Sequence, residues 1–282
     1  MDRKAALITI MVALIAIAVA VAATALLSND DNDGKIKADI SYNVKIECDD
    51  YTKFLIDGDG PGGGLTGTYK KGTVISLEAV SEVGHFDGYY EGDKCICSDK
   101  SYELTVKSDI SIRLVSKDVA VVKINGNDCT LYVNGLPYKD SYGGAVNAGT
   151  PMTVYAVSGE GSVVTGWTGS FTSEYPICSF SADSDTELTV TTEETSEPTA
   201  VVNVLAIFPD NGSIIVYGQN AGNHYCVRLE QSGDPLLLSA EAKEGHSFGH
   251  WIVKPGSVYY ESSIEVAVST DMEITAVFLR AD

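Results

Sequence analysis

Basic charge is scarce in this chain. Its 282 residues carry 19 lysines and arginines against 39 aspartates and glutamates, a formal net charge of −20. Such a surface is repelled by phosphate backbones and by anionic lipid headgroups, so nucleic acid is excluded as a partner, as is peripheral docking on an acidic leaflet. Histidine is rare as well, at 4 residues. No nucleophile elbow appears, and the expected reading is not an enzyme, with no catalytic residues, cofactor or metal. Beyond residue 27 there is no long apolar run and no stretch of helical period. That excludes a helical bundle.

One apolar run is present. Residues 5–27 are uncharged, and 23 residues of helix span about 34 Å, enough for a bilayer core of about 30 Å. The run exceeds the 7–15 residues of a secretory core, which favours a retained anchor over residues 1–27, although Ala23-Thr24-Ala25 offers a small-x-small cleavage site. Arg3 and Lys4 precede it and Asp30, Asp31 and Asp33 follow, so residues 28–282 are expected outside the cell, with the membrane contacted through residues 5–27. Lys4-Ala5-Ala6-Leu7 also resembles the class III leader of pilin-like filament subunits. Residues 28–39, SNDDNDGKIKAD, read as an acidic stalk.

The rest of the chain repeats itself. Gly72, Gly149 and Gly233 each open one pattern. Seven residues on stand Ala79, Ala156 and Ala240, and twelve on stand Gly84, Gly161 and Gly245. An aromatic follows (Tyr89, Trp167, Trp251), then an aspartate (Asp109, Asp185, Asp271). The unit is roughly 80 residues long, and tandem units of this kind present modules more often than they build one cleft. Period-two alternation predicts half-buried strands, for example Ile75, Leu77 and Ala79. About four to six short strands are expected per unit. The aspartates are expected to start turns and accept hydrogen bonds from nearby N–H groups. The units are placed at 40–118, 119–195 and 196–282.

These residues resemble the divergent InlB B-repeat, or bacterial repeat domain. The third unit carries its pattern as Gly233-Asp234, Leu236, Leu238 and Ala240, then Gly245 through Trp251, and Val277-Phe278 at the end. The first unit is a residue shorter and has Tyr89 in place of tryptophan. The resemblance implies all-β modules, β-grasp-like or small sandwiches, that act as spacers or contacts at a cell surface. It implies a repeat core of Ala79, Ala156, Ala240, Phe86, Tyr89, Trp167, Phe248 and Trp251.

The remaining candidates are local. Cys48, Cys95, Cys97, Cys129, Cys178 and Cys226 form an even set in an exported chain, which invites disulfides in any of 15 pairings. Cys48 and Cys129 occupy inward strand positions by alternation and fit equally well as buried free thiols. His246 and His250, and Cys95-Ile96-Cys97, lack the partners of a metal site. Asn29 to Ile40 and Asp57-Gly58-Asp59-Gly60 begin like calcium loops and end without the closing glutamate. They read as stalk and flexible hairpin loop. Asn211-Gly212-Ser213 is a glycosylation sequon, and its Asn-Gly reads better as a hairpin turn. The expected function is a membrane-anchored surface protein that presents β-repeats to an unknown protein or glycan. A pilin-like subunit and a carbohydrate-binding module, with Trp167, Trp251 and Tyr89 stacking on sugars, are the alternatives.

Overall fold

The computed structural model describes residues 39–231 and 233–281, and the described part is all-β. The membrane anchor, the pilin-like leader and almost all of the stalk lie outside the described residues. No helix among the described residues is long and apolar enough to cross a membrane.

Three tandem modules share one plan, a sandwich of two small sheets. The first uses β1 (Ser41–Cys48), β2 (Thr52–Ile56), β3 (Asp59–Gly62), β4 (Gly64–Lys70), β5 (Val74–Ser81), β6 (His85–Glu91), β7 (Lys94–Cys97), β8 (Ser101–Thr105) and β9 (Ile110–Lys117). One sheet runs β4-β1-β9-β6-β7 and the other β3-β2-β5-β8. β1 and β9 pair in parallel, and their other neighbours are antiparallel. Alternation explains the layering: Val44, Ile46, Ile75, Leu77, Ala79, Ile112 and Leu114 all point inward and are almost fully buried.

The third module repeats this strand for strand. Its elements are β16 (Thr199–Ile207), a 3-10 turn (Pro209–Asn211), β17 (Gly212–Val216), β18 (Gln219–Gly222), β19 (His224–Glu230), β20 (Leu236–Ala242), β21 (His246–Lys254), β22 (Ser257–Tyr259), β23 (Ser263–Val266) and β24 (Met272–Arg280). Its sheets run β19-β16-β24-β21-β22 and β18-β17-β20-β23.

The second module is continuous where the others break. Here β10 (Val119–Val133) does the work of β1 and β2 together, and β11 (Leu136–Asn147) that of β3 and β4. β12 (Thr150–Ser158), β13 (Ser162–Gly169), β14 (Ile177–Ala182) and β15 (Thr186–Glu194) complete it. An irregularity between Asn125 and Thr130 bends β10, so its first part pairs with β15 and its second with β12. The first and third modules therefore have nine strands each and the second has six, against the four to six expected. The excess comes from corners that split one long ribbon into short strands.

Two recurring devices hold the plan. The Oδ1 atoms of Asp109, Asp185 and Asp271 accept from the backbone N–H groups of Asn43 (2.8 Å), Val121 (2.9 Å) and Val201 (2.8 Å). This corrects the expected local turn bond. Each aspartate reaches across the sheet and pins the first strand of its module to the last, beside the parallel pair. Tight turns of the primed kind form at Asp57-Gly58, Asn134-Gly135 and Tyr217-Gly218, with both residues at positive φ in every copy. Asp57 is thus part of a defined turn, and Asp59 to Gly62 continue as β3 rather than as a flexible loop.

Asn211-Gly212 is not a hairpin turn. The strands on either side, β16 and β17, belong to different sheets, and Asn211 closes the 3-10 turn at the corner between them. A Cβ on Gly212 would lie 2.2 Å from the Phe278 ring, so glycine lets the corner pack on the core.

Candidate functional site

The repeat-core residues lie inside the sandwiches. Tyr89, Trp167 and Trp251 are almost fully buried, as are Ala79, Ala156 and Phe86, while Ala240 and Phe248 are half-buried. Tyr89 donates to the Lys100 carbonyl (2.8 Å) and Trp251 Nε1 to that of Ser262 (3.4 Å), the same step along the chain in two modules. With these ring faces closed, none of the three is available to stack on a sugar, which removes the residues on which the carbohydrate reading rested.

The six cysteines are free thiols dispersed through the fold. Cys48, Leu114, Tyr89 and Cys97 form one row across the first sheet. Three strand spacings separate the two sulfur-bearing residues by about 14 Å, twice the reach of a disulfide at about 7 Å. Cys129 and Cys178 lie on β10 and β14, the two strands that flank β12, opposite Ser158 at its end and Val154 at its middle. Cys95 and Cys97 are neighbours on β7, with Sγ atoms turned to the carbonyls of Cys97 (3.6 Å) and Asp99 (3.8 Å). Burial, with Asp49 alongside, pushes the Cys48 thiol up to about 12. Burial also raises Cys129, Cys178 and Cys226, so these thiols stay protonated and poor as nucleophiles.

The sequence reading passed over one match to the letters of a nucleophile elbow, Gly245-His246-Ser247-Phe248-Gly249, but Ser247 lies inside β21 and no helix follows it. Among the described residues no group of three or more histidines, cysteines or carboxylates is placed to hold a metal. His85 instead faces Asp118 at 3.5 Å, and His246 Nδ1 faces the Glu244 carbonyl.

The sequence reading missed the joint between the second and third modules. Tyr155 on β12 is fully buried there, stacked on Tyr132 with ring centroids 4.8 Å apart and tilted against Tyr225 at 5.1 Å. Its hydroxyl meets His224 Nδ1 at 2.8 Å, and His224 Nε2 meets Asn203 Oδ1 at 2.9 Å. The pairing assigns the Nε2–H tautomer, which donates to Asn203 while Nδ1 accepts from the tyrosine. Burial lowers the His224 pKa, so the ring is held neutral. Gln219 clamps the two modules, accepting from Ser179 N–H (2.8 Å) and donating to the Ile177 carbonyl (3.0 Å). Tyr217, in the left-handed region at φ 50°, stacks on Tyr175 with centroids 4.6 Å apart. A groove of about 600 Å³ runs beside the joint between Met152, Phe180 and Asn223, and no titratable side chain lines it. It offers no acid–base chemistry.

A second feature is confined to the third module. On the outer face of its β19-β16-β24-β21-β22 sheet, the outward positions hold Leu205, Ile207, Val277, Leu279, Ile252 and Val258. Tyr260 joins them through its ring contact with His250. Exposure ranges from 41% at Ile207 to 75% at Tyr260 among the residues most open to solvent. The recurring aspartate bond aligns the copies: Asn43, Val121 and Val201 are equivalent, as are Asp109, Asp185 and Asp271. Leu205, Ile207 and Leu279 then correspond to Glu47, Asp49 and Lys117 in the first module, and to Asn125, Asn127 and Glu193 in the second. Two copies of the same sandwich fold with polar residues at these sites, so the apolar ones are not required by the fold. Phe208 stands at the rim, 63% exposed and at φ 61°, a conformation costly for a bulky side chain.

Comparison with known proteins is sparse. No family model and no curated protein matches the chain. Among solved structures it is similar to the Bacillus anthracis TIE protein, at 9% identity and TM-score 0.21, over 86% of this chain and 51% of that one. It thus spans about half the length of that protein. It is also similar to a streptococcal ancillary pilin, at 9% identity and TM-score 0.24 over 84% of this chain and 99% of that one. A major pilin of Streptococcus pyogenes shares 11% identity, with a TM-score of 0.17 over 84% and 98%. All these scores lie below 0.5 and carry no inference about role.

Proposed function

We propose that this chain is a membrane-anchored array of repeat modules related to the InlB B-repeat, in which residues 28–282 stand outside the cell as spacer and contact surface and perform no catalysis. The observation that carries the reading is the apolar outer face of the third module, where Leu205, Ile207 and Leu279 stand at positions that are polar in the other two copies. Solvent-facing apolar clusters on one sheet mark contact sites, because leaving them in water costs free energy that folding does not recover. The first two modules, polar at those three positions, then serve to hold the third away from the membrane.

External protease on intact cells expressing the full chain tests the placement. The reading expects residues 28–282 to be cut while residues 5–27 remain in the membrane fraction. Full protection of the β-modules, or their recovery in the soluble cytoplasmic fraction, sinks it. The pilin-like alternative keeps one observation in its favour, the Lys4-Ala5 leader followed by an apolar run. N-terminal sequencing separates the two: an Ala5 start supports the filament subunit, and an intact Met1 supports the anchor.

A further inference from the structure

We infer that the apolar outer face of the third module docks on the same face of a second copy of this chain, forming a two-fold, sheet-on-sheet dimer. The inference deepens the contact-surface reading and rests on it. Charge is the first argument. Each copy carries −20, so copies repel wherever their acidic surfaces meet. This face is an exception: its charged members, Lys254 and Glu273, pair with each other at 3.4 Å at one end. Two such faces can therefore meet without burying an unpaired charge, the costly event at an interface. A basic partner, which the rest of the chain would attract, finds no unpaired acidic group to match on it.

Size and shape agree. Leu205, Ile207, Val258, Tyr260 and Leu279 are exposed, and Ile252 and Val277 lie half-buried between them. Together they form the apolar centre of a patch, to which the polar margin of the sheet adds the rest of the ~800 Å² per partner that a specific interface buries. Two regular sheet faces pack about 10 Å apart at a small angle, and one patch meeting itself is what a two-fold dimer needs.

The face is also continuous with an interface already formed. Leu205 on β16 lies directly across from His224 on β19, whose ring is covered by Tyr132 and Tyr155 of the second module. The same sheet is thus covered at its β19 edge and bare from β16 onward.

The test measures the protein mass per particle of the full chain in detergent micelles, by light scattering with separate detection of protein and detergent. Two chains per particle are expected. The dimer should strengthen between about 0.02 M and about 0.3 M salt, because screening relieves the repulsion between acidic copies. A basic partner would show the opposite salt dependence. The variant Leu205→Asn, Ile207→Asn, Leu279→Glu installs the residues that the second module carries at these positions. It should dimerise at least tenfold more weakly, with unchanged circular dichroism and melting temperature. Should it lose its cooperative melt, Val258→Ser with Tyr260→Ser takes its place. One chain per particle for the unaltered protein at about 100 µM overturns the inference. So does a dimer that survives both variants, which would place the contact elsewhere, for example in residues 5–27. Neither result touches the protease experiment, so failure of the dimer and failure of the external reading are told apart.

Discussion

The two joints between modules are built in opposite ways. Between the first and second, β9 runs into β10 through Asp118 alone, at φ 57°, and Gly84 N–H donates to Asn147 Oδ1 at 2.7 Å. The hydrophobic core of the first module stays within the first module. Between the second and third, Tyr155 and Ile177 belong to the core of the third module, and Tyr132 packs against it. Equivalent positions explain the contrast. Tyr155 follows from Ala156 as Glu78 does from Ala79, and Glu78 is exposed. The outward residue on the middle strand is thus one difference between the joints, beside the Gln219 clamp and the Tyr175–Tyr217 stack. The lesson is that copies of one fold are tuned by their solvent-facing residues, since the inward ones are already committed to the sandwich.

Breaking the wide joint should have the largest effect. Tyr155→Ala removes a fully buried ring and leaves His224 Nδ1 without its donor, at a cost of about 3–5 kcal/mol. Urea unfolding followed by tyrosine fluorescence should then resolve separate transitions for the second and third modules. A single transition with an unshifted midpoint would show that the joint carries little energy.

Next in size is Gly84→Ala at the narrow joint. Its φ is 73°, and an added Cβ would meet the Lys117 carbonyl at 2.3 Å and Val119 at 2.6 Å. Strain and overlap together should cost more than about 2 kcal/mol. Gly161→Ala, at φ 78° with open space around it, should cost only about 1 kcal/mol. Equal losses in thermal melts would mean that the approach of Gly84 to the second module is not tight.

Acid should loosen the wide joint selectively. His224 is kept neutral by burial, with its ring edge-on to the stacked Tyr132 and Tyr155 rings. Its folded pKa lies below the ordinary value, so the unfolded chain takes up the proton first as pH falls. The stabilisation is full above about pH 6.5 and is lost as pH drops toward the lowered folded value. Melting temperature should fall between about pH 7.5 and 5.5, and His224→Gln should flatten that slope. An unchanged slope would assign the acid sensitivity to other groups.

Asn147→Ala should have the smallest effect on stability, about 1 kcal/mol, but the larger effect on shape. Small-angle scattering should show a wider spread of lengths, because a single residue, Asp118, links β9 to β10 and the Gly84–Asn147 bond that spans the joint is lost. A profile identical to the unaltered protein would mean that chain continuity alone aligns them.

Inward positions were legible from sequence because burial on one face imposes a period of two. Ile75, Leu77 and Ala79, and likewise Val266 and Val268, point where alternation places them. The recurring aspartates were legible as positions but not as contacts. Their partners lie more than sixty residues away in the chain, and no local pattern encodes which strand comes alongside. Asn211-Gly212 carried the letters of a hairpin and became a corner, because β16 and β17 enter different sheets. Leu205, Ile207, Tyr155 and Gln219 gave no signal, since an outward strand residue looks the same in sequence whether it meets solvent or a neighbour.

The sequence by itself determined three copies of an all-β unit, because turn glycines, alternating apolar residues and a pinning aspartate act within each copy. Only the tertiary structure decided which outward residues became a joint, which became a bare apolar face, and that Cys48 and Cys97 stand too far apart to pair. Those outcomes depend on which strands lie side by side, and that adjacency is set by long-range pairing and sheet-on-sheet packing rather than by any local run of residues.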